Sequence, residues 1–206
     1  LGSIYALIAL GYTMVYGILR IINFAHGDIL MVGALTTLSA VNALNGTFPH
    51  MPLLAQLGCA LLVAPIVCAL LAMAVARFAY RRLRNAPRLA PLISGIGVSV
   101  LLQTLAMVIW SRNPLMFPQI LAMDPIAVTQ GSDGHPPAII TVTGIVTIAL
   151  ALLVMFGLWA LVEFTRLGRG MRAVAENPRV ASLMGVSPNR IITLTFAIGG
   201  LFAALA

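Results

Sequence analysis

Residues 52–76 read PLLAQLGCALLVAPIVCALLAMAVA, and not one of them carries a formal charge. At about 1.5 Å per residue, such a run makes a helix of roughly 37 Å, longer than a hydrocarbon core of about 30 Å. It stops against Arg77, the first of five arginines in residues 77–88, a block that holds no acid. A long uncharged run closed by a basic block is the pattern of a membrane-spanning helix whose arginines lie at one face of the bilayer.

The pattern repeats in both directions. Cutting the sequence at its charges leaves residues 1–19, 29–43, 52–76, 89–110, 138–162 and 191–206, none of which contains Arg, Asp or Glu. An ionised side chain at mid-bilayer costs roughly 2.5–3.5 kcal/mol on insertion scales, which accounts for the exclusion. Over all 206 residues, 61% are hydrophobic and 8% charged, and the mean hydropathy is +1.04. Soluble domains carry about a quarter charged residues, so disorder, a soluble enzyme and a nucleic-acid module are all disfavoured. The net charge of +7 comes from 12 basic residues, all Arg, most of them in two short blocks beside apolar runs, a placement that orients a membrane protein rather than binding nucleic acid.

The runs are continuous and rich in Leu and Ala, without the ten-residue alternation of a barrel, so the expected fold is all-α: a polytopic transmembrane helical bundle of about six membrane segments in one domain, residues 1–206. Residues 29–43 make only about 22 Å of helix. That segment is either re-entrant or extends back through Asn23–Asp28 to span. In the first case the chain starts inside, in the second outside. Residues 77–88 hold five Arg and no acid, residues 163–190 five Arg and two Glu, and residues 111–137 one Arg and two Asp. The two Arg-rich loops are therefore expected to be cytoplasmic. Tyr80, Trp110 and Trp159 sit where amphipathic rings collect at an interface. Gly33 with Thr37, and Gly200 with Ala204, are spaced for close helix approach. Cys59 and Cys68 read as core thiols, and the Asn45-Gly46-Thr47 sequon reads as a turn. The chain opens on Leu1 and closes inside an apolar run, so both ends read as truncated, and no signal peptide is expected.

The second Arg-rich connector is too long and too patterned to be a mere link. Asn177-Pro178 reads as a helix N-cap followed by the first helical residue, and Gly185 as a left-handed stop, giving a helix over residues 178–184. Val180, Leu183 and Met184 then form one apolar stripe on a segment that should face water. Two readings follow: a helix lying on the bilayer surface with Arg169, Arg172, Arg179 and Arg190 near lipid phosphates, or a knob that docks on a cytoplasmic protein and transmits its motion. Ser187-Pro188 repeats the start signal for the next membrane helix.

Between the first two apolar runs, Arg20 to Asp28 mixes polar and apolar residues around a glycine. Irregular backbone at membrane depth persists where protein or a water-filled cavity satisfies it, which makes Asn23, His26 and Asp28 candidates to line a translocation pathway. Alternatively, Arg20 and Asp28 simply end two helices at the cytoplasmic face, with Asp28 capping the second. Tyr5, Tyr12, Thr13, Tyr16, Gln56, Ser94, Ser99, Gln103 and Thr104 are polar residues within the runs, suited to bonds between helices, with Ser94 and Gln103 further pathway candidates. Ser94-Gly95-Ile96-Gly97 thins a helix enough for a solute or lid to approach. No P-loop, HExxH, GxSxG or Cys/His ligand set occurs, so nothing points to an enzyme, a catalytic residue, a metal or a bound cofactor.

The run Gly2-Ser3-Ile4-Tyr5-Ala6-Leu7, then Gly11-Tyr12-Thr13-Met14-Val15-Tyr16-Gly17, then Ile22-Asn23-Phe24-Ala25-His26-Gly27-Asp28 resembles the opening of the permease subunits of branched-chain amino acid ABC importers. Gly168-Arg169-Gly170-Met171-Arg172-Ala173-Val174-Ala175-Glu176-Asn177-Pro178, with Ala181, Leu183-Met184-Gly185-Val186 and Arg190, resembles their cytoplasmic loop, and Tyr80-Arg81 their first basic loop. The resemblance covers essentially the whole chain. It implies a bacterial inner-membrane transport subunit that hydrolyses no ATP itself, ATP being bound by partners: a second permease, two cytoplasmic ATPase subunits and a periplasmic substrate-binding protein. It makes Asn177, Pro178, Arg179, Val180, Ala181, Leu183, Met184 and Gly185 the ATPase-coupling interface. Against the EAA-type loop of ABC importers only Ala181 and Gly185 match, and Arg179 stands where that pattern has Glu. Members of the family continue through further membrane helices. Two other classes compete: a secondary transporter or channel in which His26 and Asp28 relay protons, and an intramembrane enzyme, for which no Ser/His or Asp/Asp pair is present.

Overall fold

The computed structural model describes residues 2–19, 22–83, 86–87, 89–117, 126–127 and 139–206. Arg20, Arg84, Arg88 and most of the connector at residues 111–137 lie outside the described residues. Eight α-helices follow in order: α1 Gly2–Leu19, α2 His26–Thr47, α3 Leu53–Val75, α4 Leu89–Ile109, α5 Val142–Phe164, α6 Arg166–Glu176, α7 Pro178–Leu183 and α8 Pro188–Leu205. Six of them, all but α6 and α7, are long and apolar enough to cross a membrane. Between α4 and α5, Ile126–Ala127 pairs antiparallel with Ile139–Ile140, a short ladder that the helical reading did not contain.

Residues 29–43 are the middle of a longer helix. With 22 residues in one continuous helix from His26, α2 measures about 33 Å and is long enough to cross the bilayer, as the second of the two readings has it. The helix is capped back at Ala25 and runs on through Asn45-Gly46-Thr47, which forms its last turn rather than a loop. The Asn45 Oδ1 accepts from the Gln56 amide at 3.1 Å, tying the far end of α2 to the start of α3.

The bundle is built on α3 against α8, flanked by α2 and α1. Without a hydrophobic drive between helices in lipid, such packing depends on close approach, and glycine supplies it. A Cβ on Gly33 would stand 3.1 Å from the Ala204 Cα and from the Cys68 Sγ. One on Gly200 would stand 2.5 Å from the Cys68 carbonyl oxygen and 2.7 Å from the Ala72 Cβ. Around these crossings Val15, Ile29, Cys68, Ala72 and Phe196 form the buried core. The Cys68 thiol donates to the Ile29 carbonyl at 3.4 Å. Cys59, by contrast, lies on the exposed face of α3, so only one of the two thiols belongs to the core. α5 rests on α1 through a second cluster of Leu7, Ala151, Val154 and Phe202, and most of its surface remains open.

After Val75 the third helix continues through one π-helical turn, Ala76–Tyr80, and a 3-10 turn, Arg81–Leu83. A π turn inserts a residue and re-phases the helix face, and such turns recur at functional sites. Here it coincides with the burial of Tyr80, whose ring packs on Phe196 with centroids 5.2 Å apart.

Candidate functional site

Two regions carry the polar and exposed features: the corner formed by α6, α7 and α8, and the start of α2 where it meets α1, α3 and α4.

Sequence patterning missed α6. Its signals are present: Thr165 accepts from the Gly168 N–H at 3.1 Å as N-cap, and Met171 and Val174 fall on one face and are buried. Glycine lets this helix fold back tightly, since a Cβ on Gly168 would collide with the Val162 carbonyl and one on Gly170 would meet the Ile191 side chain at 2.8 Å. An exposed ion pair, Arg172 to Glu163 at 2.6 Å, spans the fold-back. Such pairs contribute about 1 kcal/mol at most.

The single residue Asn177 joins α6 to α7. Its backbone is extended at φ −151, and its Oδ1 accepts from the N–H groups of Arg179 at 3.0 Å and Val180 at 3.2 Å. Pro178 follows at the first helical position, where no donor is needed. At the other end Gly185 has φ +82, its N–H donates to the Ser182 carbonyl at 3.2 Å, and the Val186 N–H donates to the Ala181 carbonyl at 3.0 Å. These two bonds are a Schellman stop. Only Val186 and Ser187 then separate Gly185 from Pro188, the first residue of α8. A two-turn rod is thus clamped at both ends, with almost no slack toward a helix of the core.

Along this rod Val180 is 53% exposed, Leu183 86% and Met184 80%. Ala181 points the other way, is buried and seats the rod on the protein. Arg179 is exposed, and the Ser182 hydroxyl is turned back to the Arg179 carbonyl at 2.6 Å.

At the start of α2, the Asn23 Oδ1 accepts from the Ala25 N–H at 3.2 Å and from the Tyr80 hydroxyl at 3.1 Å. Gly95 of α4 closes over this bond, a Cβ there meeting the Tyr80 oxygen at 2.7 Å. Gly95 therefore admits the Tyr80 side chain, whereas a Cβ on Gly97 would meet nothing within 4 Å. His26 is 1% exposed. Its ring meets Tyr12 edge-on at 5.5 Å and fills the space left by Gly11, and its Nε2 has no hydrogen-bond partner among the described residues. Asp28 faces another way. Its Oδ1 accepts from the Gln103 amide of α4 at 2.9 Å, and the same nitrogen lies 3.3 Å from the Ser99 Oγ.

The five pathway candidates therefore divide. Asn23 and His26 are enclosed by the chain's own helices. Asp28 is held by Gln103, which is exposed on the outer face of α4, and Ser94 is half-buried on the same helix. His26 points to α1 and Asp28 to α4, and no hydrogen bond joins the two among the described residues. Among the described residues no group of His, Cys, Asp or Glu is arranged to hold a metal ion.

Residues 1–206 match the family model described as branched-chain amino acid transport system, permease component. The chain is similar, at 40% identity over its whole length, to the high-affinity branched-chain amino acid transport system permease protein BraD of Pseudomonas aeruginosa. It is 38% identical to the corresponding protein LivH of Salmonella typhimurium and 37% identical to LivH of Escherichia coli K12, again over the whole chain. In each case it spans 66% of the relative's length. No solved structure matches it. The match covers every residue, six of the described helices are long and apolar enough to cross a membrane, and the chain belongs to the branched-chain amino acid transport permease family.

Proposed function

We propose that this chain is the membrane-spanning part of an ATP-driven importer for branched-chain or related amino acids, set in the bacterial inner membrane. It works with a second permease, two ATPase subunits and a periplasmic binding protein. The observation that carries the reading is α7: Val180, Leu183 and Met184 exposed on a rod fixed by Asn177 and Gly185 and tied by two residues to α8. An apolar stripe in water wants a partner, and a short rigid link passes that partner's displacement to the core through α8.

The arginine-rich ends of α3 and α8, together with α6 and α7, face the cytoplasm, which puts residue 2 and the α4–α5 connector outside. The second permease covers α4, where exposed Gln103 and its bond to Asp28 are poorly suited to lipid, and the solute passes along that face. A proton-driven mechanism has no support in the separated His26 and Asp28. The test is reconstitution with the ATPases. Leu183→Glu with Met184→Glu should abolish uptake and uptake-stimulated ATP hydrolysis while insertion persists, and unchanged uptake overturns the assignment.

A further inference from the structure

We propose that the cleft between the end of the third helix and the start of α8 binds the phosphate headgroup of an anionic phospholipid, and that this lipid stiffens the frame against which α7 acts. Three contiguous cavities open here, and Arg81 and Asn189 border all of them. The first, about 830 Å³, reaches Asn177 and, on α7, Arg179 and Ser182, and includes one carboxylate, Glu176. The second, about 580 Å³, is walled by Arg77, Arg81, Ser187, Arg190, Thr193 and Leu194. It collects three guanidinium groups and no carboxylate. None of the three is ion-paired among the described residues, where Arg172 with Glu163 is the one salt bridge.

Planar guanidinium forks suit phosphate oxygens and, unlike lysine, hold them bidentately. Basic clefts between membrane helices at the cytoplasmic face have the chemistry for anionic headgroups. The third cavity is a gap of only about 20 Å³ where Leu19, Ala76 and Ile192 meet Tyr80, and Phe78 on the π turn and Leu194 on α8 are exposed. Basic walls at the ends of two spanning helices, with exposed apolar side chains on the same elements, fit an amphiphile better than a free anion. A headgroup bridging Arg77 and Arg81 to Arg190 joins the third helix to the first turn of α8, the helix that α7 pulls.

The effect on coupling rests on the importer reading, whereas binding rests only on the cleft. The complete complex is placed in phosphatidylcholine nanodiscs with and without phosphatidylglycerol, and native mass spectrometry reads retained lipid. Wild type should retain phosphatidylglycerol and show several-fold higher uptake-stimulated ATP hydrolysis with it. Arg77→Gln with Arg190→Gln should weaken retention by about tenfold or more and remove the lipid dependence. Arg77→Lys with Arg190→Lys, which keeps both charges, should hold an intermediate amount and report a folded protein. Equal retention by the Gln variant overturns the proposal, as does full occupancy by soluble glycerol phosphate without lipid. Loss of ATPase subunits from the Gln variant with lipid retention unchanged makes the cleft an ATPase contact and also overturns it. Absence of ATP-driven uptake in every lipid defeats the importer reading, while retention still decides the cleft.

Discussion

The Gln103 side-chain amide on α4 donates to the Asp28 carboxylate on α2 at 2.9 Å, across 75 positions of sequence. α4 touches the bundle mainly through α2 and the π turn, so this bond ties a loosely held helix, through exposed Gln103, to a carboxylate that is itself buried. Asp28 lies in the first turn of α2, where the helix dipole favours a negative charge.

Replacing Gln103 by Leu leaves that carboxylate without its amide donor. Hydrogen bonds to charged groups contribute about 1.5–3 kcal/mol, so uptake should fall by about tenfold or more. Insertion, read by protease protection, should be unchanged. Asp28→Asn keeps the shape, and loss of uptake there with normal assembly shows that the charge itself serves transport.

The Tyr80 hydroxyl holds the Asn23 Oδ1 at 3.1 Å. Tyr80→Phe should lower stability by about 0.6–1.7 kcal/mol, the range for bonds between membrane helices. Asn23→Ala should cost more, because the Ala25 N–H also loses its acceptor. Thermal unfolding in detergent orders the two variants.

Glycine positions differ sharply in consequence. Gly200→Ala puts a methyl 2.5 Å from the Cys68 carbonyl, a backbone atom that cannot swing away, whereas Gly97→Ala meets nothing within 4 Å. The first should destabilise by about 1–3 kcal/mol as overpacking and the second should be neutral or slightly favourable in its helix. The same unfolding assay separates them.

Much of this was legible in the sequence because charge and hydropathy act locally. Uncharged runs gave the six spanning helices, and Asn177-Pro178 with Gly185 gave α7 to within one residue, since caps are short-range chemistry. The length of α2 was not decidable, because His26 and Asp28 are polar yet buried against Tyr12 and Gln103, partners remote in sequence. The same remoteness hid the enclosure of Asn23 by Tyr80 and the inward turn of Ala181. α6 was overlooked because its arginines and glycines mask a short apolar face, although Thr165 marked its start. Gly33 and Gly200 were recognised as close-approach positions, but which helix each meets is a property of the packed bundle.

Asn177 supplies both side-chain bonds that start α7, and Gly185 its left-handed end. Asn177→Ala should cost about 1 kcal/mol of local stability and Gly185→Ala a similar amount, the first by loss of the cap and the second by strain at φ +82. Both should raise hydrogen exchange across residues 178–185 and lower the uptake obtained per ATP hydrolysed, with the spanning helices unaffected.

The central claim is that α7 is pushed by a nucleotide-hydrolysing neighbour. Its most direct measurement is site-directed cross-linking from Leu183→Cys in a Cys59→Ser background, in intact vesicles containing the whole transporter. The account predicts a product with the ATPase subunit whose yield changes with ATP, and no product from a cysteine at buried Ala181. Cross-linking of Leu183→Cys to lipid alone, with no ATPase product in any nucleotide state, would contradict it.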